Sequence, residues 1–507
     1  MKQQRSATAV KSRTLLPPAY SLRFERCTSL LVKHAAFGLL AIFTIFGAGC
    51  TVGPRYGRPV TTIQPFHNAP SIESRQAALP APQLDTWWIG FDDPELTRIV
   101  QRVLDQNLDL AQSLARVEQA RAAAKGAGAK LKPSGSLTAQ SNSFRQSLDS
   151  PFGRYAKTFP GYFRNQSYLD LGVEASWEAD LFGGLRRGAE AASAEAEAAE
   201  AQRFGVRVSV VAEAADAYMQ IRGAQVRLNV AKEQIATDEH LLALVSQRRA
   251  AGVASDRELA QAEALLSQAK ATVPPLAIIL EAQLNRLDVL MGTQAGTYAA
   301  ELKTPGEIPP VPSIATTASA SDLLRRRPDI VAAERRLAAS NARIGQAIAE
   351  YYPKISLSGL LGNEAISPGD LFREKGFQPS VVAGLQWRLF DFGRVDAEVK
   401  QAKGANAEAL LQYRNSVLHA TEDVEDSFSV LAQSEVRRDE ITIEIAALQR
   451  ARDRSQEAYQ AGVIALTDVL DADRQLLVAR DDLASTREAA ARAAVGSFRA
   501  LGGGWTP

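Results

Sequence analysis

From Leu169 to Trp177 every second residue is apolar: Leu169, Leu171, Val173, Ala175 and Trp177. Asp170, Gly172, Glu174 and Ser176 stand between them. Alternation with a period of two predicts a strand with one oily and one wet face. The pattern returns after Pro353 in "KISLSGLLG", where Ile355, Leu357, Gly359 and Leu361 alternate with Lys354, Ser356 and Ser358. It returns again in "SVVAGLQWRL", with Val381, Ala383, Leu385, Trp387 and Leu389 on one side and Gly384, Gln386 and Arg388 on the other. A poorer run around Ser136 to Phe144 completes four predicted strands, each of about ten residues.

Around the strands the pattern is helical. Neither Gly183 or Gly184 to about Val245, nor Gly393 to about Tyr459, contains a proline. Each predicts a helix of roughly 60 residues, on the order of 90 Å long at about 1.5 Å per residue. Helices of that length indicate coiled-coil-like packing rather than an ordinary globule. "AGVASD" at Gly252 and "AGVIALTD" at Gly462 end them and reverse the chain into returning partners.

These elements occur twice. Trp177, Phe182 and Gly183 fall on Trp387, Phe392 and Gly393, each 210 positions later, and Gly252 falls on Gly462. Upstream the offset is 220, carrying Leu108–Leu137 onto Pro328–Leu357 with Pro133 on Pro353. The first copy therefore holds about ten extra residues between Pro133 and Trp177, an insertion that belongs in a loop. Each repeat reads as helix, strand, strand, helix, turn, helix. The first spans 94–292 with its strand hairpin at 133–178; the second spans 321–500 with its hairpin at 353–390.

Composition sharpens this picture. Across 507 residues, 58 basic residues face 57 acidic ones, so no strong field draws nucleic acid and no nucleic-acid motif is present. The N-terminus holds Lys2, Arg5, Lys11, Arg13, Arg23, Arg26 and Lys33, with no acid before Glu25. An apolar run from Ala35 to Cys50 follows, too short to span a membrane comfortably and laid out as a secretory signal over 1–49. The basic stretch is long for a signal, which leaves a later translation start open. The run ends at Gly47-Ala48-Gly49-Cys50, which resembles a bacterial lipobox with Gly47 where leucine is usual. Cys50 is thereby the expected lipidation site, against the plainer reading of an incidental cysteine. Cys27 would leave with the signal, and Thr51 after the lipidated cysteine would sort the protein to the outer membrane.

Ten-residue strands with one apolar face have the length and pattern of outer-membrane barrel strands. A small soluble sheet over a core is the commoner alternative. The envelope signal favours the barrel, as do tryptophans at the strand ends, Trp177 and Trp387, where interfacial aromatics sit. Four strands cannot close a barrel, and open edges are excluded from hydrocarbon. Chains must pool their strands, and three chains give twelve.

The whole mature chain resembles the TolC-type outer-membrane factors, in particular the lipoprotein channels that serve RND-type pumps. "CTVGPRYGRP" (Cys50 to Pro59), "WWIGFDDPEL" (Trp87 to Leu96) and "RRPDIVAAERRLAASNARIGQAIAEYYPKISLSG" (Arg326 to Gly359) carry the resemblance. It implies an all-α protein with a membrane β-barrel portion: a homotrimer whose shared twelve-stranded barrel continues as a periplasmic α-helical barrel. A mixed equatorial domain would come from 50–93, the linker 293–320 and the C-terminal tail 501–507. The implied partners are a periplasmic adaptor, an inner-membrane RND-type transporter and outer-membrane lipid. No cofactor beyond the lipid on Cys50, and no metal, is implied.

In the family, rings of aspartate close the periplasmic end of the tunnel. The matching segment "TDVLDAD" offers Asp468 and Asp471, three apart and so on one helical face. Stacked carboxylate rings would be cation-selective. A solvated acidic face near a helix start is the bland alternative. Tyr459 matches a family residue that ties neighbouring helices at the closed tip, whereas Ile464 replaces the basic residue some members use. Gly252, Val253, Gly462 and Val463 mark the hairpin tips expected to meet the adaptor.

The expected function is a passive exit duct for small molecules. Protein export in a type I system is the alternative within the class, and a lipid-tethered coiled-coil scaffold the alternative outside it. An enzyme is not expected: His34, His67, His240 and His419 are scattered, no catalytic motif appears, and the helix acids stand at ordinary surface spacing.

Overall fold

A computed structural model describes residues 51–506 apart from 61–62, 76, 78 and 316–325. The signal segment and Cys50 lie outside the described residues, as do 316–320 of the linker and 321–325 of the second repeat. Helices α1 (Pro94–Gln106) and α2 (Leu108–Ala129) precede strands β1 (Ser134–Arg145) and β2 (Asn165–Ala179). Then come α3 (Gly184–Ala250), α4 (Asp256–Ala271) and α5 (Val273–Leu290). The second half runs α6 (Pro328–Ala349), β3 (Lys354–Ala365), β4 (Ser380–Gln386), α7 (Arg394–Gln460) and α8 (Leu466–Ala500).

The long helices α3 and α7 each contain 67 residues, about 100 Å of helix. Both begin after a left-handed glycine, Gly183 (φ 81°) or Gly393 (φ 83°). Both end before another, Gly252 (φ 73°) or Gly462 (φ 74°). At each tip the chain closes the same Schellman motif. Gly252 and Val253 N–H donate to Arg249 and Arg248 carbonyls at 2.9 and 2.8 Å; Gly462 and Val463 N–H donate to those of Tyr459 and Ala458 at 3.0 and 2.9 Å.

The described parts of the two copies differ in two places. The first returning helix is broken into α4 and α5, because Pro274 and Pro275 lack the N–H groups that would continue the ladder. Within the first repeat the Asn107 side chain separates α1 from α2, capping α2 by accepting from Leu110 N–H at 2.9 Å. The strands measure 12, 15, 12 and 7 residues rather than a uniform ten.

The four strands form one antiparallel sheet in the order β1-β2-β3-β4. At its centre Gly172 faces Gly362. A Cβ on Gly172 would lie 2.7 Å from Leu360 Cδ1 and 3.1 Å from Gly362 Cα, so glycine permits this close approach.

The core gathers where α1, α3, α7 and α8 meet below the sheet, with Trp87 stacked on Phe498 at 5.2 Å and Tyr218 donating to Asp93 at 2.6 Å. The C-terminal tail is part of this core. Leu501 to Trp505 are buried; Trp505 stacks on Phe204 at 4.6 Å and Arg207 donates to the Gly504 carbonyl at 2.7 Å. Across the outside of the helices runs an N-terminal strap. Val52 N–H donates to Phe182 O at 3.1 Å, Tyr56 hydrogen-bonds Glu334, Asn68 N–H donates to Glu425 at 3.0 Å, and Arg75 forks onto Glu435 at 2.7 and 2.8 Å.

Candidate functional site

Strand register decides what the sheet can face. Leu137 pairs with Val173, Val173 with Leu361, and Leu357 with Ala383. Odd-numbered positions therefore line one face on all four strands, and they carry the apolar residues predicted above. Among the described residues nothing covers this face: Leu137, Val173, Leu361 and Val381 are 72, 53, 65 and 79 % exposed. From Ala179 to Leu169 the belt runs about 33 Å along the strand, or about 25 Å in height at a tilt of roughly 40°, the height of a barrel's apolar band. The opposite face carries Gln140, Asn142, Asp170, Glu174, Glu178, Glu364 and Gln386. Among the described residues no helix is long and apolar enough to cross a membrane.

Trp177 sits inside β2, and Trp387 one residue past β4. Each indole N–H donates to a backbone carbonyl at the end of the preceding helix: Trp177 to Leu131 at 3.1 Å, Trp387 to Tyr351 at 3.0 Å. Leu131 and Tyr351 are equivalent under the upstream offset, so the tryptophans are matching braces between strand end and helix end. Spacing alone does not reveal this second role. Thr51 is lodged at the same junction: a Cβ on Gly183 would lie 2.7 Å from Thr51 Cγ2.

At the far end of the helices a small second core holds the two hairpins together, built from Leu241, Val245, Ala262, Tyr459, Leu466 and Val469. Tyr459 is buried there, and Ile464 packs against the cluster. The Arg248 guanidinium lies 4.5 Å over the Tyr459 ring and donates to the Tyr459 carbonyl at 3.3 Å, tying α3 to α7. Burial pushes the Tyr459 phenol upward, so its hydroxyl stays neutral. Val253 and Val463 project outward from the tips, 64 and 75 % exposed.

Asp468 and Asp471 both lie exposed on the first turns of α8. Asp471 pairs with Arg474 and accepts from Gln475 at 2.8 Å. Asp473, two residues on, is buried and held by Arg452 Nε at 2.8 Å. Beside it, Asp238 of α3 is 1 % exposed; Gln234 donates to its Oδ1 at 2.7 Å and its Oδ2 has no partner among the described residues. Burial raises the Asp238 carboxyl to about 6, and the neighbouring Asp473 charge adds to that rise. The expectation that helix acids stand at the surface is thus corrected: Asp238, Asp288, Glu334 and Asp473 are all buried, each with a hydrogen-bonding partner. Sequence spacing missed them because alanine-rich helices show little contrast between faces.

A bare apolar sheet from which two long helical hairpins grow defines the class: a TolC-type outer-membrane channel. The chain belongs to the outer membrane efflux protein family, whose profile it matches over residues 99–293 and 319–503. It is 32 % identical to the pyoverdine export outer membrane protein OpmQ of Pseudomonas aeruginosa, over 84 % of this chain and 88 % of that protein. Outer membrane protein OprJ of the same organism is also 32 % identical, over 94 % of this chain and 97 % of that protein. The solved outer-membrane channel OprN superposes with a TM-score of 0.82 at 33 % identity, over 90 % of this chain and all of that one. The protein is accordingly an efflux channel of the outer membrane.

Proposed function

We propose that three copies assemble into a closed duct, the exit of a tripartite pump in which a periplasmic adaptor links it to an inner-membrane RND-type transporter. One observation carries the reading. Among the described residues the sheet has two unpaired edges, β1 and β4, and an uncovered apolar face, and it continues directly into α3 and α7. Bare strand edges are not tolerated in lipid, so β4 of one copy must pair with β1 of the next until twelve strands close. The acidic and amide face then lines water, and the long hairpins extend the pore as a helical tunnel.

Trp177 and Trp387 would mark the periplasmic-side interface of the belt. Lipidation at Cys50 fits that level, because Thr51 lies at the strand-to-helix junction beside Gly183. An acyl chain there would enter the inner leaflet next to the barrel. The tips at Gly252, Val253, Gly462 and Val463 would dock the adaptor. Asp468 and Asp471, exposed near the tip, would form the carboxylate rings of the gate, with Tyr459 bracing the helix that carries them. The duct performs no chemistry of its own and needs no cofactor beyond its lipid. The lipoprotein start favours small molecules as cargo, consistent with a relative named for pyoverdine export.

Single-channel conductance in a planar bilayer tests this, comparing the full protein with an Asp468→Ala/Asp471→Ala variant. Small cation-selective currents that enlarge in the variant are expected. Unchanged currents would remove the gate assignment, and a folded protein that never inserts would overturn the duct.

A further inference from the structure

The two strand hairpins end in very different loops on the side away from the helices. The loop 146–164 takes about half of the first repeat's extra residues, the rest lengthening β2, and it is a built structure. Ser150 caps a short helix, Pro151–Ala156, by accepting from Gly153 N–H at 3.1 Å. Gly153 lies against the loop's own first residues, where a Cβ would meet the Ser147 carbonyl at 1.8 Å. Phe152 packs edge-on to Tyr162 at 6.5 Å, and Tyr155 edge-on to Phe159 at 5.0 Å. Yet Phe152, Tyr155, Phe159 and Phe163 remain 61, 66, 51 and 78 % exposed. An ordered platform that leaves four aromatic rings open is shaped to receive something.

Charge narrows what that is. Around the platform stand Arg145, Arg154, Lys157 and Arg164 against a single acid, Asp149, whose contact with Arg154 is long (3.7 Å) and exposed. Among the described residues the buried Nε of Arg164 has no acceptor. The loop of the second repeat, 366–379, is neutral: Arg373 and Lys375 both pair with Asp370, at 3.0 and 3.5 Å, and Glu374 balances the remainder. Below the basic loop the apolar face turns polar, with Ser141, Ser143, Asn165 and Ser167 continuing the rows that end at Leu169. Ascending the sheet, the surface therefore passes from hydrocarbon-like through hydroxyl-bearing to cationic and aromatic. That is the order of chemistry across a leaflet whose headgroups are phosphorylated.

The geometry points to a docking surface on loop 146–164 for phosphorylated lipid of the outer leaflet, with cations on phosphate and aromatic rings at the headgroup level. Charge complementarity and continuity with the apolar belt select this occupant over a neighbouring copy of the chain. The inference rests on the outer-membrane duct reading, since it requires the belt to sit in a bilayer. Three copies would place the surface at three points around the rim.

The test uses the full-length protein in phosphatidylcholine nanodiscs that also contain diphosphorylated lipid A, or the same lipid with its phosphates removed. Bound lipid is read by native mass spectrometry, and conductance is recorded in parallel. Stronger retention of the phosphorylated form is expected. Loss of two cations in Arg154→Gln/Lys157→Gln should weaken it about thirtyfold, at roughly fivefold per interfacial cation. Phe152→Ser/Phe159→Ser should weaken both forms together. Equal retention of the two lipids by a protein that inserts and conducts would overturn this inference and leave the duct standing. So would a charge variant that lowers the trimer fraction with no lipid dependence, since the loop would then serve a neighbouring copy. Failure to insert would remove both readings.

Discussion

At the first hairpin tip Gly252 turns left-handed after Arg248 and Arg249; at the second Gly462 makes the same turn after Ala458 and Tyr459. The two backbones match from Gly183 and Gly393 through 67 helical residues to the same hydrogen-bonded turn. Their side chains do not. The first tip presents an arginine pair, with Arg249 bound to Asp256 at 2.5 Å and Ser255 and Glu258 forming a capping box. The second carries the buried tyrosine and, within six residues, Asp468, Asp471 and Asp473. Duplication supplied the frame twice, but Glu258, at the place equivalent to Asp468, closes a capping box that α8 lacks. The arginine pair of the first tip reaches across, Arg248 lying over Tyr459. The tip works as a brace and a gate candidate made from two different halves.

The sharpest way to break this contrast is to truncate equivalent positions. Tyr459 and Arg249 share one place in the repeat, yet Tyr459 is buried and Arg249 half exposed. Tyr459→Ala should cost about 3–5 kcal/mol of local stability, as for other buried aromatics. Arg249→Ala should cost less than about 1 kcal/mol. Hydrogen exchange of the tip amides measures both, and equal effects would mean that the tips are not chemically divided.

A second division is set by pH. Asp238 is held protonated more firmly in the fold than in the unfolded chain, since burial raises it from an ordinary carboxyl to about 6. The folded tip thus binds the extra proton between about pH 4 and 6, and its stability falls as pH rises through that window. The loss is at most about 3 kcal/mol, from a shift of roughly two units. The groups facing Asp238 are Gln234 on its own helix, Arg452 of α7 and Asp473 of α8, and Asp473 also feels Arg480 and Asp453. Asp238→Asn should flatten the dependence of tip exchange between pH 4 and 7. A slope that survives the substitution would assign the titration elsewhere.

These residues also mark the limit of what the sequence discloses. The strands could be read because their alternation has a period of two against an alanine-rich background, and the repeat because Trp177, Gly183 and Gly252 recur in register. The same background hides Asp238: in "ATDEHLL" the acid is one of several at helical spacing, and only the crossing of α3, α7 and α8 buries it. The tryptophan braces were half legible. Their position at the strand end follows from the pattern, but the bond to Leu131 or Tyr351 needs the helix end brought alongside. The buried C-terminal tail was not legible, since "LGGGWTP" has no period and is held by Leu84, Phe204 and Arg207, which are far away in sequence.

Backbone equivalence itself predicts a matched pair. Among the described residues, chain neighbours aside, no atom stands within 4 Å of where a Cβ would lie on Gly252 or on Gly462, so alanine there meets only the left-handed conformation. Gly252→Ala and Gly462→Ala should each cost about 1–2 kcal/mol. Thermal unfolding of the two variants should agree, and a gap wider than about 1 kcal/mol would show that the turns, alike in hydrogen bonding, differ in strain.

The smallest effects on stability are expected where the largest effects on conduction are. Asp468 lies in the first turn of α8, where its charge suits the helix dipole by roughly 0.3–1 kcal/mol. Asp471 holds only the exposed partners Arg474 and Gln475, a surface arrangement contributing about 0–1 kcal/mol. Neither side chain supports the buried cluster around Tyr459, so alanine at both should leave the unfolding temperature nearly where it was. That separation makes the conductance comparison interpretable: a larger current from an equally stable protein reports the removed charges, not a loosened tip. A double variant that loses stability as much as Tyr459→Ala would show that these acids hold the hairpins together, and its larger current would then be no evidence for a gate.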